Sequence, residues 1–271
     1  MRGIIIQSGN DASIAVAEHI AGSEEAYADM MNQTAKRLGM THSHYKNATG
    51  WPDPEHYTTA RDLATLARHV VYDHPEDYEL YSEKEFFYNG IKQPNRNLLL
   101  WRDNSVDGIK TGHTEEAGYC LVASAKKDGM RLIAVVMGTK NEEARAGETL
   151  KLLTYGFRFY ESVRSYGANE VLAEPEIWFG STPTVKLGLE KDLILTIPRG
   201  TQQDVKAELD YKPLELKGPI AKGQQLGLVR VRVKDQVISE TPLVALDPVD
   251  EAGFIKKIWH HILLFVKGLF S

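Results

Sequence analysis

Lys110-Thr111-Gly112 is the part of this sequence with the clearest potential for chemistry. A lysine supplies a fixed positive charge, a threonine hydroxyl can hold a carboxylate, and a glycine leaves room for a ligand that lies along a strand. About a hundred residues earlier, Ser8-Gly9-Asn10 adds a hydroxyl and a carboxamide at the predicted start of a helix, after an apolar run. If the fold brings the two segments together, they form a site for a ligand that carries a carboxylate.

An antiparallel hairpin is predicted to follow the lysine. Two apolar runs, residues 117–125 and 131–137, are joined by Lys126-Lys127-Asp128-Gly129. An Asp-Gly pair between β-branched and aliphatic segments is a strong signal for a tight hairpin turn. Lys110 therefore lies near the end of one strand, and the hairpin continues the sheet.

Helices are predicted to cover this sheet. The first spans Asp11 to Ala21; Ser23 and Thr59 are typical N-caps for the next two, and a last helix runs from about Glu142 to Tyr160. Residues 81–88 and 98–101 are predicted strands on either side of Asn89-Gly90. Helices on a mainly antiparallel sheet indicate an α/β (α+β) fold. We assign residues 1–164 to this domain.

The second half has a different pattern, with short apolar runs and frequent turns after residue 165. It predicts a small all-β domain over residues 165–249, and nothing in it has the pattern of a catalytic site. Residues 250–271 contain a predicted helix, 254–270, whose helical wheel has a cationic side and an apolar side. Lys256, Lys257, His260, His261 and Lys267 share one side, and apolar residues cover the other.

This last helix is predicted to lie in the plane of a membrane. Its seventeen residues would span about 25 Å, short of the ~30 Å of a hydrocarbon core, and charges interrupt it. The cationic side would face anionic lipid. The alternative is a helix packed on the β domain or on a partner. His260 and His261 are poor candidates for a metal, because adjacent helical positions diverge.

Composition narrows the function classes. The chain has 271 residues, 42% hydrophobic and 25% charged, which is typical of a globular protein. Its net charge of −5 and pI near 6.0 argue against nucleic acid as a partner. The single cysteine, Cys120, is expected to be a buried core residue, and it excludes a disulfide within the chain.

Four blocks in order carry a resemblance to a known family. They are Ser8 to Ala12, Asn89 to Asn97, Val106 to Thr114 and Leu153 to Phe159. Together they resemble the low-molecular-weight penicillin-binding D-alanyl-D-alanine carboxypeptidases, peptidase family S11, of the penicillin-binding protein 5 and 6 type. Lys-Thr-Gly and Ser-x-Asn are two of the three motifs of penicillin-interacting serine enzymes, and Ser-x-x-Lys is the third. The resemblance implies a serine β-lactamase/transpeptidase-like domain.

The resemblance also implies an activity. The enzyme would remove the terminal D-alanine from a peptidoglycan pentapeptide through a serine acyl-enzyme, and β-lactams would acylate the same serine. Its partners would be the peptidoglycan stem peptide, β-lactams and a membrane surface. No cofactor and no metal are implied, and the expected location is the periplasmic face of the bacterial inner membrane.

Each site residue has an implied role. Ser8 would relay protons and Asn10 would hold the amide side of the substrate. Lys110 would set the electrostatics and, with Thr111, bind the substrate carboxylate, and Gly112 would leave room for the substrate along the strand edge. The N–H of His113 would donate to the oxyanion, and Arg96 would add positive charge. The alternative for Ser8 is an N-cap, and for Arg96 a solvated or salt-bridged loop residue.

The sequence departs from the family pattern at one motif, so the function of the family and the activity of this chain must be considered separately. In the family Ser-x-x-Lys precedes Ser-x-Asn by a long stretch, whereas only seven residues precede Ser8. Two Ser-x-x-Lys strings occur, at Ser43 and Ser124. The first lies in a loop and the second on a strand, where residues three apart point to opposite faces, so we interpret both as coincidence.

We therefore expect an N-terminally truncated chain that lacks the nucleophile and carries no signal peptide. Two other functions stay open. The chain could be a catalytically dead peptidoglycan- or penicillin-binding remnant, or a β-lactamase.

Overall fold

The computed structural model describes residues 1–213 and 216–269, with side chains up to residue 263. The chain forms two compact units, Met1–Phe159 and Tyr160–Ser271. The sequence boundary after residue 164 falls inside a strand, Tyr160–Tyr166, that belongs to the second unit.

Local capping explains where the helices of the first unit begin. The Ser23 hydroxyl accepts the N–H of Ala26 at 3.1 Å, and the Thr59 hydroxyl accepts the N–H of Asp62 at 3.1 Å, so both predicted N-caps are confirmed. The helices are α1 Arg2–Gln7, α2 Asn10–Ala21, α3 Glu24–Arg37, α4 Ala60–Asp73 and α5 Pro75–Tyr78, and a 3₁₀ turn follows at Glu79–Ser82.

One predicted strand is wrong. Residues 81–88 and 98–101 were expected to be strands on either side of Asn89-Gly90, but that two-residue turn joins β1 Glu85–Tyr88 to β2 Ile91–Pro94. The segment forms the short helix α6 Leu99–Arg102. Its cause is Asn97, whose carboxamide accepts the N–H of Leu99 at 3.1 Å. Leu99 and its neighbour Leu100 are both almost fully buried, which a strand with one core-facing side does not allow.

The predicted hairpin is confirmed. Strands β3 Val106–Thr114, β4 Gly118–Lys127 and β5 Met130–Thr139 form an antiparallel sheet in that order. Asp128 and Gly129 both have positive φ, as a tight two-residue turn requires. The helix α7 Glu142–Phe159 follows close to its predicted bounds. The core between α7 and the sheet consists mainly of Leu99, Leu100, Leu121, Ala123, Ala134, Ala146 and Leu153.

The second unit is an all-β domain, as predicted. Strands β6 Tyr160–Tyr166 and β9 Leu193–Pro198 pair with each other. The remaining strands are β7 Val171–Ala173, β8 Leu187–Gly188, β10 Val205–Tyr211, β11 Gln225–Val233 and β12 Gln236–Ala245. They form a sheet in the order β10-β11-β12-β8-β7. Alternate residues point inward, so the core consists mainly of Leu187, Leu195, Ile197, Val229, Val231 and Leu243.

A terminal helix, α8 Phe254–Leu269, completes this unit. Part of its cationic side faces the β domain. The Phe179 N–H donates to His260 Nδ1 at 2.7 Å, Lys256 Nζ donates to the Ser181 carbonyl at 3.1 Å, and Lys257 pairs with Glu251 at 2.5 Å. The opposite side is exposed and consists of Phe254, Ile255, Ile258, Trp259, Ile262 and Leu263, which we call the apolar face of α8. The side chain of Lys267 lies outside the described residues.

Candidate active site

Lys110 is the centre of the site because its ammonium group contacts Ser8 of the Ser-x-Asn segment. Lys110 Nζ donates a hydrogen bond to Ser8 Oγ, and another to the Thr111 carbonyl at 3.0 Å. Ser8 lies 102 residues away in the chain. The fold therefore joins the two motifs that the sequence analysis singled out.

The backbone around Ser8 leaves its hydroxyl available. Ser8 has φ 57° and ψ 44° and ends α1, while Gly9 is the N-cap of α2. The helix therefore begins at Asn10, two residues after Ser8, and the alternative role of Ser8 as its N-cap is wrong because Gly9 holds that position. Serine rarely adopts this left-handed conformation, and the turn is closed by a hydrogen bond from the Gly9 N–H to the Gly3 carbonyl at 3.0 Å. The Ser8 hydroxyl accepts its hydrogen bond from Lys110.

The seven predicted site residues line one cleft of about 850 Å³. They are Ser8, Asn10, Arg96, Lys110, Thr111, Gly112 and His113. Thr111 is largely buried, whereas Asn10, Arg96, Gly112 and His113 are exposed. The His113 ring packs on Tyr119, with 3.9 Å between ring centroids. The roles predicted for these residues remain proposals.

Burial and like charges shape the electrostatics of the cleft. Burial, together with the positive charges of Arg96 and Arg145, lowers the pKa of Lys110 to about 8. A lysine in this range exchanges its proton near neutral pH. Glu115, Glu116 and Glu142 also line the cleft, but Arg96 and Arg145 both act on Lys110, so the part of the cleft around Lys110 favours an anionic ligand.

Arg145 is a cationic residue of the cleft that the sequence analysis missed. It is only 3% exposed, and its guanidinium lies 3.4 Å from Glu142 and 3.4 Å from the Arg96 carbonyl. Burial lowers the pKa of this arginine. A signal was present, because Arg145 shares a helical face with Thr149 and Leu153, four and eight residues on. A charge on a core-facing stripe indicates a buried function or ion pair.

Neither Ser-x-x-Lys string forms a serine–lysine pair. The Ser43 hydroxyl donates to Asp62 at 2.7 Å, whereas Lys46 pairs with Glu55 at 3.4 Å. Ser124 is fully buried on β4 and accepts a hydrogen bond from Arg131 at 2.6 Å, while Lys127 is exposed at the strand end. Both serines are committed to structural hydrogen bonds.

Comparison with known proteins identifies the family. The profile described as D-alanyl-D-alanine carboxypeptidase, peptidase S11, matches residues 1–141, and that of the penicillin-binding protein 5 C-terminal domain matches residues 160–251. The chain therefore belongs to the serine D-alanyl-D-alanine carboxypeptidases of family S11, and the resemblance noted from its motifs is confirmed.

Individual relatives agree with this assignment. The chain is 44% identical to D-alanyl-D-alanine carboxypeptidase DacA of Escherichia coli K12, over 100% of this chain and 68% of the relative. It is 42% identical to DacC of the same organism, over 97% of this chain and 66% of the relative. Penicillin-binding protein 5 from Haemophilus influenzae superposes with a TM-score of 0.84 at 42% identity, over 92% of this chain and 73% of that one. The chain spans about two thirds of the length of these curated relatives.

Proposed function

We propose that this chain supplies the carboxylate-binding and proton-relay side of a serine D-Ala-D-Ala carboxypeptidase site. The substrate would be a peptidoglycan pentapeptide that loses its terminal D-alanine through an acyl-enzyme. One observation carries the proposal: Lys110, with its lowered pKa, donates a hydrogen bond to Ser8 in a cleft that two arginines also line.

The charges of the cleft suit the end of the substrate that leaves. The terminal carboxylate of D-alanine would lie against Lys110 and Thr111, with Arg96 at its open side. Arg145 would act from beneath, since its guanidinium reaches the carbonyls of Gly112 and Arg96 at 3.5 and 3.4 Å. Asn10 would hold the amide side of the substrate, and the His113 N–H would donate to the oxyanion.

The Ser8 and Lys110 pair would carry the proton of the reaction. Because the pKa of Lys110 is about 8, its ammonium can release a proton to Ser8 and recover it without a large cost near neutral pH. Ser8 would give its own hydroxyl proton to the departing amine as it takes the proton from Lys110. A nucleophilic serine must approach the same cleft, and neither Ser43 nor Ser124 does so.

A binding-only function is the second candidate for the chain by itself. It rests on the geometry of the two Ser-x-x-Lys strings, neither of which presents a hydroxyl beside a lysine. In that state the cleft would hold peptidoglycan peptides or β-lactams reversibly. Loss of a nucleophile in a comparable triad costs about a million-fold in rate.

The test is intact mass after incubation with penicillin, in two proteins. The first is this chain, and the second is this chain joined to the segment that carries Ser-x-x-Lys in a complete relative. We expect an adduct only in the second, and expect Lys110→Ala to abolish it. Lys92→Ala is the matched control, because Lys92 pairs with Glu85 on an exposed hairpin away from the cleft.

Each outcome assigns a role. A stoichiometric adduct on the first protein that vanishes with Ser8→Ala would make Ser8 the nucleophile and overturn the relay role. Full acylation of the joined Lys110→Ala protein would overturn the role given to Lys110.

We also propose that α8 places the protein on a membrane surface, at the periplasmic face of the inner membrane as the family implies. Its apolar face is exposed, and Ile255 is 84% exposed. Because Lys256 and His260 bond to the β domain, insertion of the apolar face would supply most of the membrane affinity. Attraction between cationic side chains and anionic lipid would contribute less than the helical wheel predicts. Among the described residues, no helix has both the length and the apolar character needed to cross a bilayer.

Flotation with vesicles tests this second proposal. We expect Ile255→Ser to release the protein from neutral and anionic vesicles. Ile194→Ser, an exposed isoleucine on a strand of the same unit, should not. Equal flotation of the two variants would refute the proposal.

A further inference from the structure

Arg96 stands between two buried asparagines in the segment that precedes α6. Asn95 is 5% exposed and Asn97 is 1% exposed, whereas Arg96 is exposed and lines the cleft around Lys110. An asparagine is seldom buried this deeply unless its carboxamide is hydrogen-bonded. The alternation of buried, exposed and buried side chains indicates that the two asparagines fix the backbone and that the segment presents Arg96.

The Asn97 carboxamide joins this segment to the strand that carries Lys110. Its Nδ2 donates to the Gly108 carbonyl at 3.1 Å, two residues before Lys110 on β3. Among the described strands β3 pairs only with β4, so Asn97 supplies a partner at the edge of the sheet. Its Oδ1 accepts the N–H of Leu99 at 3.1 Å, which starts α6. One side chain therefore fixes the approach of Arg96 to the strand.

Asn95 holds the other side of Arg96. Its Nδ2 donates to the Glu83 carbonyl at 2.9 Å, and its own N–H donates to the Lys84 carbonyl at 2.7 Å. Its Oδ1 accepts the N–H of Asn97 at 2.9 Å, so the two carboxamides support each other across the arginine. The backbone on both sides of Arg96 is thus anchored to two separate parts of the chain.

The same segment also contacts α1, which ends at Ser8. Gln7 Nε2 donates to the Pro94 carbonyl at 2.7 Å, and the Arg145 guanidinium reaches the Arg96 carbonyl at 3.4 Å. Within the described part of the chain, the Arg96 side chain has no hydrogen-bond or ion-pair partner of its own. A long side chain without partners owes its direction to its backbone, so the anchors around Arg96 decide where its charge lies.

We propose that Asn95 and Asn97 are positioning residues that hold Arg96 at the carboxylate end of the cleft. This inference rests on the proposed function in taking the ligand at Arg96 to be the terminal carboxylate of the peptide. The asparagines touch no substrate and act through the arginine. Without them the guanidinium would be free to turn into solvent, where its attraction to a bound carboxylate is weaker.

The first measurement needs no ligand, because the charge of Arg96 contributes to the lowered pKa of Lys110. In a ¹³C titration of the Lys110 side chain, Arg96→Gln should raise the midpoint above that of the unsubstituted chain. Asn97→Ser should also raise it, since serine can still accept the Leu99 N–H but is too short to reach Gly108. The two substitutions together should raise it no further than Arg96→Gln alone, as expected when both act through one group.

The second measurement is binding of a peptide that ends in D-alanyl-D-alanine, and of its C-terminal amide, to the whole chain by NMR titration. The unsubstituted chain should bind the carboxylate form more tightly. Arg96→Gln, Asn95→Ala and Asn97→Ser should each reduce that preference by about two- to fivefold, as the loss of an exposed ion pair allows.

Asn32→Ser is the matched control for a purely structural effect. The Asn32 carboxamide likewise bonds the backbone on both sides, to the N–H and the carbonyl of Tyr45 at 2.8 Å each, but it does not line the cleft. This substitution should lower the melting temperature and change neither the Lys110 midpoint nor the preference for the carboxylate peptide.

The outcomes separate this inference from the proposed function. A Lys110 midpoint that Asn97→Ser leaves unchanged, or raises in full on top of Arg96→Gln, would overturn the inference. A midpoint unchanged by Arg96→Gln would do the same, since Arg96 would then not lie beside Lys110. If the preference falls in Arg96→Gln but in neither asparagine variant, the inference is refuted and the proposed function stands. If the midpoints shift as expected but the unsubstituted chain does not prefer the carboxylate, the proposed function fails and the placement of Arg96 by the asparagines stands.

Discussion

Lys110→Met should make the protein more stable at neutral pH, because the charge of Lys110 is unfavourable in the folded state. Burial and two arginines lower its pKa from 10.5 to about 8. Each pKa unit corresponds to about 1.4 kcal/mol, so keeping this lysine protonated costs roughly 3 kcal/mol. Methionine has a similar length and carries no charge. It forfeits the two hydrogen bonds to Ser8 and the Thr111 carbonyl, worth about 1 kcal/mol each. The expected net gain at pH 7 is about 1 kcal/mol.

The pH dependence has a definite sign. Between pH 8 and 10.5 the unfolded lysine still holds its proton, whereas the folded one has lost it. The free energy of unfolding of the unsubstituted chain therefore rises with pH across this window. The free energy of unfolding of the Lys110→Met protein lacks this pH-dependent contribution. By pH 9.5 the unsubstituted chain recovers about 2 kcal/mol, so the order of stability of the two proteins should reverse.

Urea unfolding at pH 7 and pH 9.5 is the assay, followed on the methyl resonances of Ile6 and Ile109 because both report on the first unit. Lys92→Met is the control and should show no pH-dependent difference, since Lys92 is an exposed partner of Glu85. A ¹³C titration of the Lys110 side chain should give a midpoint near 8. A midpoint near 10.5, or a Lys110→Met protein that is less stable at both pH values, would refute the reasoning.

Three further outcomes follow from packing. Gly108→Ala should lower stability by about 1–3 kcal/mol in thermal unfolding, because a Cβ there would lie 2.6 Å from the Tyr78 hydroxyl; an unchanged melting temperature would contradict this. Leu243→Ala should cost about 2–5 kcal/mol in the transition of the second unit, since Leu243 is fully buried in its core, and resonances of the first unit serve as the control. Protonation of His260 removes the acceptor for the Phe179 N–H, and burial with Lys256 lowers the pKa of this histidine, so the contribution of this hydrogen bond to the docking of α8 should be complete above pH 6.5 and decrease as pH falls below it. Hydrogen exchange in α8 should therefore accelerate at pH 5, and it should be pH-independent in His260→Leu after correction for intrinsic rates.

The elements that the sequence analysis predicted well are those whose signals are local. The caps at Ser23 and Thr59, the Asp-Gly turn and the periodicity of α7 depend on residues within a few positions of each other. The same holds for the all-β character of the second unit. The motifs also identified seven residues that line the cleft around Lys110, because these residue types in this order are characteristic of one class of serine enzyme.

The misses depend on contacts that are distant in sequence. Residues 98–101 have the composition of a strand, but a buried Asn97, which donates to the Gly108 carbonyl at 3.1 Å, starts a helical turn there. Arg145 reaches the cleft only because α7 packs on the sheet. The cationic side of α8 was expected to face anionic lipid, with packing on the β domain as the alternative, and His260 and Lys256 bond to the β domain. No single-helix pattern contains that information.

The position of Lys110 depends on a polar network around the preceding residues of β3. The Tyr78 hydroxyl and Arg131 both donate to Asp107 at 2.8 Å, and Arg131 also reaches the buried Ser124. A partly buried ion pair of this kind adds little net stability, but removal of one partner leaves a charge without compensation. A slip of β3 by one residue would separate these partners and turn Lys110 to the other face of the sheet. The network therefore penalises every register except the one that brings Lys110 to Ser8, and this compensates for a lysine whose charge disfavours its own position.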